Sequence, residues 1–189
     1  MKITKIFGDI IEILLNPSAF FSNFESNKKR WSGYFLAMMS ISIVLVSLSV
    51  SWQAELLEIS MSLEEKLMYG LIIWLLLLFF TLYLGIAHLP IKLLGGKGSI
   101  SDTYQSVVYS LTPIYLFSWT LFYAIMEFSL PAYIAYMIIL FPPMWSVAIF
   151  IVAIHHIHKI SKARAFISAF PLMLIPVLIF IHSMILIPT

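Results

Sequence analysis

Five apolar stretches, each near the length a bilayer demands, occupy most of the 189 residues, at about 33–52, 67–91, 103–126, 132–154 and 165–187. A hydrocarbon core about 30 Å thick needs about 20 largely apolar residues per crossing at a helical rise of about 1.5 Å. Backbone N–H and C=O groups must be satisfied internally in that medium, so runs of this length read as helices. The composition agrees: 61% of residues are hydrophobic, 11% are charged, and the mean hydropathy is +1.00. The expected fold is all-α, a polytopic membrane bundle of five transmembrane helices forming one membrane domain over residues 1–189. An N-terminal amphipathic interfacial helix is expected at 2–15.

Orientation follows from the basic residues of the short connections. Lys2, Lys5, Lys28, Lys29 and Arg30 precede the first span, Lys92 and Lys97 separate the second from the third, and Lys159, Lys162 and Arg164 separate the fourth from the fifth. Ten of the eleven Lys and Arg residues thus fall on one side, leaving Lys66 on the other with Glu55, Glu58, Glu64, Glu65 and Glu127. The sequence therefore predicts a cytoplasmic N-terminus and, with an odd number of spans, an outside C-terminus. A net charge of +2 leaves no footprint for nucleic acid. The absence of cysteine excludes disulfides, thiolate metal sites and thiol nucleophiles. The first apolar run, Ile10 to Leu15, is too short and too interrupted by Glu12 to read as a cleavable leader.

In the N-terminal segment Ile3, Ile6, Phe7, Ile10, Ile13 and Leu14 recur at helical spacing against Lys2, Lys5, Asp9 and Glu12. Such a helix lies in the interface, as a topology anchor or a sensor of anionic lipid. Asn16-Pro17 ends it, and Ala19, Phe20, Phe21 and Phe24 are expected to hold the chain against lipid. In the first span Ala37, Ser40, Ser47 and Ser51 form a small-residue seam with Ser42 and Ser49 close by, and Ser161, Ala165 and Ala169 open the fifth in the same way. Such seams permit a homo-oligomer as readily as internal packing.

Prolines interrupt three spans: Pro113 in the third, Pro142-Pro143 in the fourth, and Pro171 and Pro176 in the fifth. Each removes a donor and strains the preceding turn, so kinks or breaks are expected, with freed carbonyls satisfied by side chains or water. One consequence is simple curvature. Another is a discontinuous helix lining a polar cavity built from Tyr109, Thr112, Pro113, Pro142 and Pro143, with Tyr115 and Ser146 as further donors, as a small transporter or channel would have.

Between the second and third spans, Gly95 is placed to end a helix in the left-handed conformation, and Ser99 with Asp102 has the form of a capping box. The loop is not a P-loop, because Lys97 is followed by Gly98 rather than Ser or Thr. It suits instead the docking of a cytoplasmic protein partner or of a lipid headgroup, through Lys92, Gly95, Gly96, Lys97, Gly98 and Ser99 with Lys159 and Lys162 beside them. His88, Asp102, His155 and His158 fall at similar depth and form a candidate divalent metal site, while His156 points elsewhere; no other cofactor is implied. No Asp, Glu, Lys or Arg lies deep in a span, and His182 falls near the outer surface. Ion-coupled transport and intramembrane hydrolysis need such groups, so no catalytic residue is assigned and the chain reads as non-enzymatic.

Several of these stretches occur together in a known pattern. Leu15-Asn16-Pro17-Ser18-Ala19-Phe20-Phe21 precedes the spans, and His88 precedes Leu94-Gly95-Gly96-Lys97-Gly98-Ser99. Tyr109-Ser110-Leu111-Thr112-Pro113 lies in the third span, and His158-Lys159-Ile160-Ser161-Lys162-Ala163 precedes the last. Over nearly its whole length the chain resembles the Yip family of Ypt/Rab-interacting proteins. The resemblance implies a five-span membrane scaffold that organises or recruits partners at the cytoplasmic face; eukaryotic relatives associate with Rab GTPases in endoplasmic reticulum and Golgi traffic. The region before the first span is only about 30 residues here, shorter than in the eukaryotic form, which points to a prokaryotic cell membrane.

Overall fold

The structure, a computed structural model, describes residues 3–24, 28–56, 85–128 and 131–170, with isolated positions between 62 and 78. Within them the regular elements are helical: α1 (Ile3–Leu15), α2 (Pro17–Ser22), α3 (Lys28–Leu56), a 3-10 turn at Gly85–Ala87, α4 (His88–Leu93), α5 (Ile100–Ser110), α6 (Thr112–Glu127), α7 (Ala132–His158) and α8 (Lys162–Ser168). α7 is central and packs on α2, α5, α6 and α8, while α3 lies against α5 and α6.

α1 and α2 meet at Asn16, whose side chain accepts the N–H of Ala19 at 3.3 Å while Pro17 supplies the first helical residue. Proline is tolerated there because its missing N–H is one that a helix start leaves unpaired anyway. α1 has three faces rather than the two expected from its periodicity. Ile10 and Ile13 are buried with Asp9, which the sequence placed on the water side; Phe7, Ile11 and Leu15 are exposed along an apolar stripe; Lys5, Gly8 and Glu12 form a polar edge. Phe20 and Phe21 do not face lipid but are buried in the core, with Phe24 packed against it.

In α3 the seam also differs from expectation. Ser40 is exposed, its hydroxyl donating to Leu36 O at 2.8 Å. The buried stripe is Tyr34, Met38, Ser42 and Val46, one residue per turn. Ser42 donates to the carbonyl of Tyr115 at 3.2 Å and so ties α3 to α6.

The third expected span is divided at Leu111 into α5 and α6, and Pro113 supplies the reason. In an unbroken helix the N–H of residue 113 would bond to Tyr109 O; proline has none. The Thr112 hydroxyl donates to that carbonyl instead, at 2.6 Å. With the Thr112 proton so committed, Tyr34 donates to Thr112 Oγ1, at 2.7 Å. Thr112→Val keeps the shape but strands the Tyr109 carbonyl and the Tyr34 hydroxyl, and is expected to cost about 1–3 kcal/mol. A lowered unfolding temperature in detergent micelles would show it; an unchanged one would mean water replaces the hydroxyl. Pro142 and Pro143 act differently from the expected break: both are buried within α7, which continues through them.

Among the described residues one helical stretch, Met137–His158, is long and apolar enough to cross a membrane, and Ser32–Leu48 is a shorter apolar helix. Most of the second expected span, and of the fifth beyond Phe170 with Pro171, Pro176 and His182, lies outside the described residues. Where the fifth begins, Ala165 and Ala169 are buried as their spacing predicts.

Candidate functional site

The C-terminal end of α7 is closed by the loop that joins α4 to α5. α4 ends in a Schellman motif: Gly95 N–H donates to Lys92 O at 3.0 Å and Gly96 N–H to Ile91 O at 2.9 Å. Gly95 takes φ +89°, which suits a residue without a Cβ. Gly96 is fixed by proximity, since a Cβ there would lie 2.8 Å from the Ile91 carbonyl oxygen and 2.5 Å from its Cγ2. The chain then crosses the end of α7, where Lys97 N–H donates to His158 O at 3.0 Å and satisfies one of the carbonyls a helix terminus leaves open. Gly98 presses on the His158 ring, so that a Cβ would sit 2.6 Å from Nδ1. The expected capping box is present: Asp102 Oδ2 accepts from Ser99 N at 2.7 Å, and Ser99 Oγ accepts from Asp102 N at 3.3 Å.

α8 joins the same structure. Ser161 caps it by accepting the Arg164 N–H at 3.4 Å, and Arg164 Nη1 donates to Leu94 O at 3.2 Å, tying α8 to the loop. Lys159 is the only non-glycine with positive φ among the described residues, at 54°. His155 Nδ1 donates to Ile160 O at 2.6 Å and so steadies the turn that follows Lys159. His156 Nε2 and Ser18 Oγ, 3.0 Å apart, attach α2 to this end.

The four candidate metal residues are not gathered into one ligand set. His155 is engaged with Ile160, and Asp102 with Ser99. His88 Nδ1 and His158 Nε2 both meet Thr103 Oγ1, at 2.7 Å and 3.1 Å. Buried His158 Nδ1 has no hydrogen-bond partner. A bare lone pair there costs less than an orphaned N–H, so the network assigns a direction: His158 Nε2–H donates to Thr103, whose hydroxyl donates to His88 Nδ1. Among the described residues no three His, Cys, Asp or Glu side chains are grouped as metal ligands.

Of the cavity residues, Tyr109, Thr112 and Pro113 come together and are buried, and four aromatic rings lie against the Tyr109 ring. The ring centroids of Tyr34, Phe20, Phe24 and Phe21 lie 4.6, 5.2, 5.5 and 6.4 Å from it, the last three edge-on. Such offset and edge contacts stabilise beyond burial alone. Tyr115 and Ser146 are buried as well.

Of the expected partner-binding residues, Lys92, Gly95, Lys97, Ser99, Lys159 and Lys162 are exposed, whereas Gly96 and Gly98 are buried as packing positions. Thr103 and Arg164 are the residues that sequence reasoning passed over. Their hydrogen-bond partners are distant, His88 and His158 lying 15 and 55 residues from Thr103 and Leu94 lying 70 from Arg164, so local spacing carries no sign of these bonds.

No curated protein and no solved structure matches the chain. The Yip1 domain family model matches residues 11–184, a stretch that takes in the aromatic α2, the glycine loop, the proline-divided α5–α6 pair and the capped end of α7. On that match the chain belongs to the Yip1 domain family of membrane proteins.

Proposed function

We propose that this chain is a non-enzymatic, five-span membrane scaffold with a cytoplasmic N-terminus, which recruits a protein partner at its cytoplasmic face in the organisation or traffic of membranes. The observation that carries the reading is the construction of one end of the bundle. Lys92, Lys97, Lys159, Lys162 and Arg164 are exposed there on a backbone held by caps, by Lys97 N–H on His158 O and by Arg164 on Leu94 O. Pre-organised side chains lose less entropy on association than mobile ones. Ten of eleven basic residues fall on this side of the expected topology, which supports its reading as the cytoplasmic side.

Two further features support a scaffold over an enzyme or a solute path. Thr103, a hydroxyl between two imidazoles, is fully buried, as are His158 and Gly98, so the hydroxyl itself is closed to solvent. The polar groups about Tyr109 are packed among aromatic rings. Photo-crosslinking in native membranes, from a probe at the exposed Ile100 beside the loop, tests the proposal. A reproducible protein partner is the expected result. Crosslinks only to lipid or to the chain itself would overturn it and turn attention to solute flux in reconstituted vesicles.

A further inference from the structure

We infer that the basic end of the bundle docks an acidic, partly apolar peptide segment of that partner, with Lys97 and Lys159 as its central contacts. The inference rests on the adaptor reading and adds the chemistry of what is recognised. Lys97 and His158 are joined through the Lys97 N–H and the His158 carbonyl, so Lys97 and Lys159 are carried on backbone flanking one hydrogen bond. Two exposed lysine side chains thereby start from neighbouring backbone. Lys92, Lys162 and Arg164 are exposed on the segments joined at this end. The one carboxylate in the loop and its flanking turn, that of Asp102, is engaged by Ser99.

Lys159 adds an independent indication. It occupies the left-handed position just past α7, with φ 54° and ψ 40°, where glycine is the usual residue. A side chain there strains the backbone, because its Cβ crowds the carbonyl oxygen that follows. Strain of this kind concentrates where the side chain has a task. The loop is flanked by exposed Leu93 and Ile100, which supply apolar contact on either side of the cations. The loop also lies across the terminus of α7, placing Lys97 and Lys159 beyond the helix end, where a segment arrives from the aqueous phase. Carboxylates interleaved with apolar residues complement that surface in charge and character.

Binding of labelled peptides to the purified full chain in nanodiscs of neutral lipid provides the test. The probes are a peptide of alternating Glu and Leu, one in which Gln replaces Glu, and one in which Lys does. The Glu peptide should bind at least about tenfold more tightly than the other two, and the difference should shrink as salt rises from about 0.05 M to about 0.5 M. The decisive variants are Lys97→Ala with Lys159→Gly. The glycine relieves the left-handed strain, so the unfolding temperature should hold or rise while Glu-peptide binding falls at least about tenfold. Lys159→Arg should bind as the parent does.

Equal binding of the Glu and Gln peptides would overturn the inference, as would unchanged binding by the double variant. If the double variant lost binding only together with its folded stability, an effect of charge would be excluded and the inference would fall. Selective binding to nanodiscs of anionic lipid, with none of the Glu peptide, would assign the lysines to headgroups instead. The adaptor reading fails separately, by the absence of any partner crosslinked from Ile100. A captured partner whose contact segment is neutral or basic would sink this inference and leave the adaptor standing.

Discussion

Gly98→Val should lower the unfolding temperature of the protein by roughly 5–15 °C, at a few degrees per kcal/mol for a chain of this size. The Cβ alone would meet His158 Nδ1 at 2.6 Å and Cε1 at 2.7 Å. The ring cannot yield cheaply, because it is buried and its Nε2 is held by Thr103. Overpacking of this kind costs about 1–3 kcal/mol. Lifting the loop to relieve it would also break the Lys97–His158 hydrogen bond, worth about 1 kcal/mol. Removing the ring should restore room, so adding His158→Ala to Gly98→Val should cost less than the two single losses together. Gly8→Ala is the control. Gly8 is exposed in mid-α1 with nothing within 4 Å of an added Cβ, and the change should stabilise by up to about 1 kcal/mol. Intrinsic fluorescence in detergent micelles reads all four proteins. A Gly98→Val protein that melts with the parent would show that the loop does not rest on His158.

Tyr109→Ala should be more damaging still, costing about 3–5 kcal/mol, the usual range for deleting a buried aromatic ring. Four rings converge on Tyr109, three of them from α2 and the residues just after it. The N-terminal arm is held as well by the packing of α2 on α7 and by the Ser18–His156 contact, so this loss should appear as loosening of the arm together with lowered stability. Amide hydrogen exchange over residues 10–24 should rise sharply in Tyr109→Ala while exchange within α7 rises less. Tyr109→Phe keeps the ring and should keep the arm protected. Equal protection in the alanine variant and the parent would mean that α2 is held by something other than this aromatic contact.

Sequence legibility follows a physical line between local and distant causes. Gly95, the Ser99–Asp102 box, the Asn16-Pro17 boundary and the interruption at Pro113 were readable because each acts within five residues of itself. The stripe Tyr34–Met38–Ser42–Val46 was not, because α3 is apolar nearly all the way round. Such a helix shows little polar contrast to mark its packed side, and the small residues Ser40, Ser47 and Ser51 were a poor substitute. Phe20 and Phe21 misled for the same reason, since lipid and core attract identical side chains. Asp9 reversed the usual rule, a carboxylate on the packed side of an amphipathic helix. At the candidate site the lysines and the glycines were found together, but their different roles were not. That Gly98 is a contact for His158, 60 positions later, and that Thr103 links two histidines, are facts of tertiary placement.

The Ser18–His156 contact also bears on how the chain is made. The two residues are 138 positions apart, and α2 packs on α7, an element that leaves the ribosome long after it. At synthesis rates of about 5–20 residues per second, the aromatic arm waits on the order of ten seconds for its seat. Until Tyr109 is made, Phe20, Phe21 and Phe24 lack their ring partner, and the membrane interface is the nearest apolar place to wait. The arm is translated well before α7 and reaches its final seat only once α7 has been made.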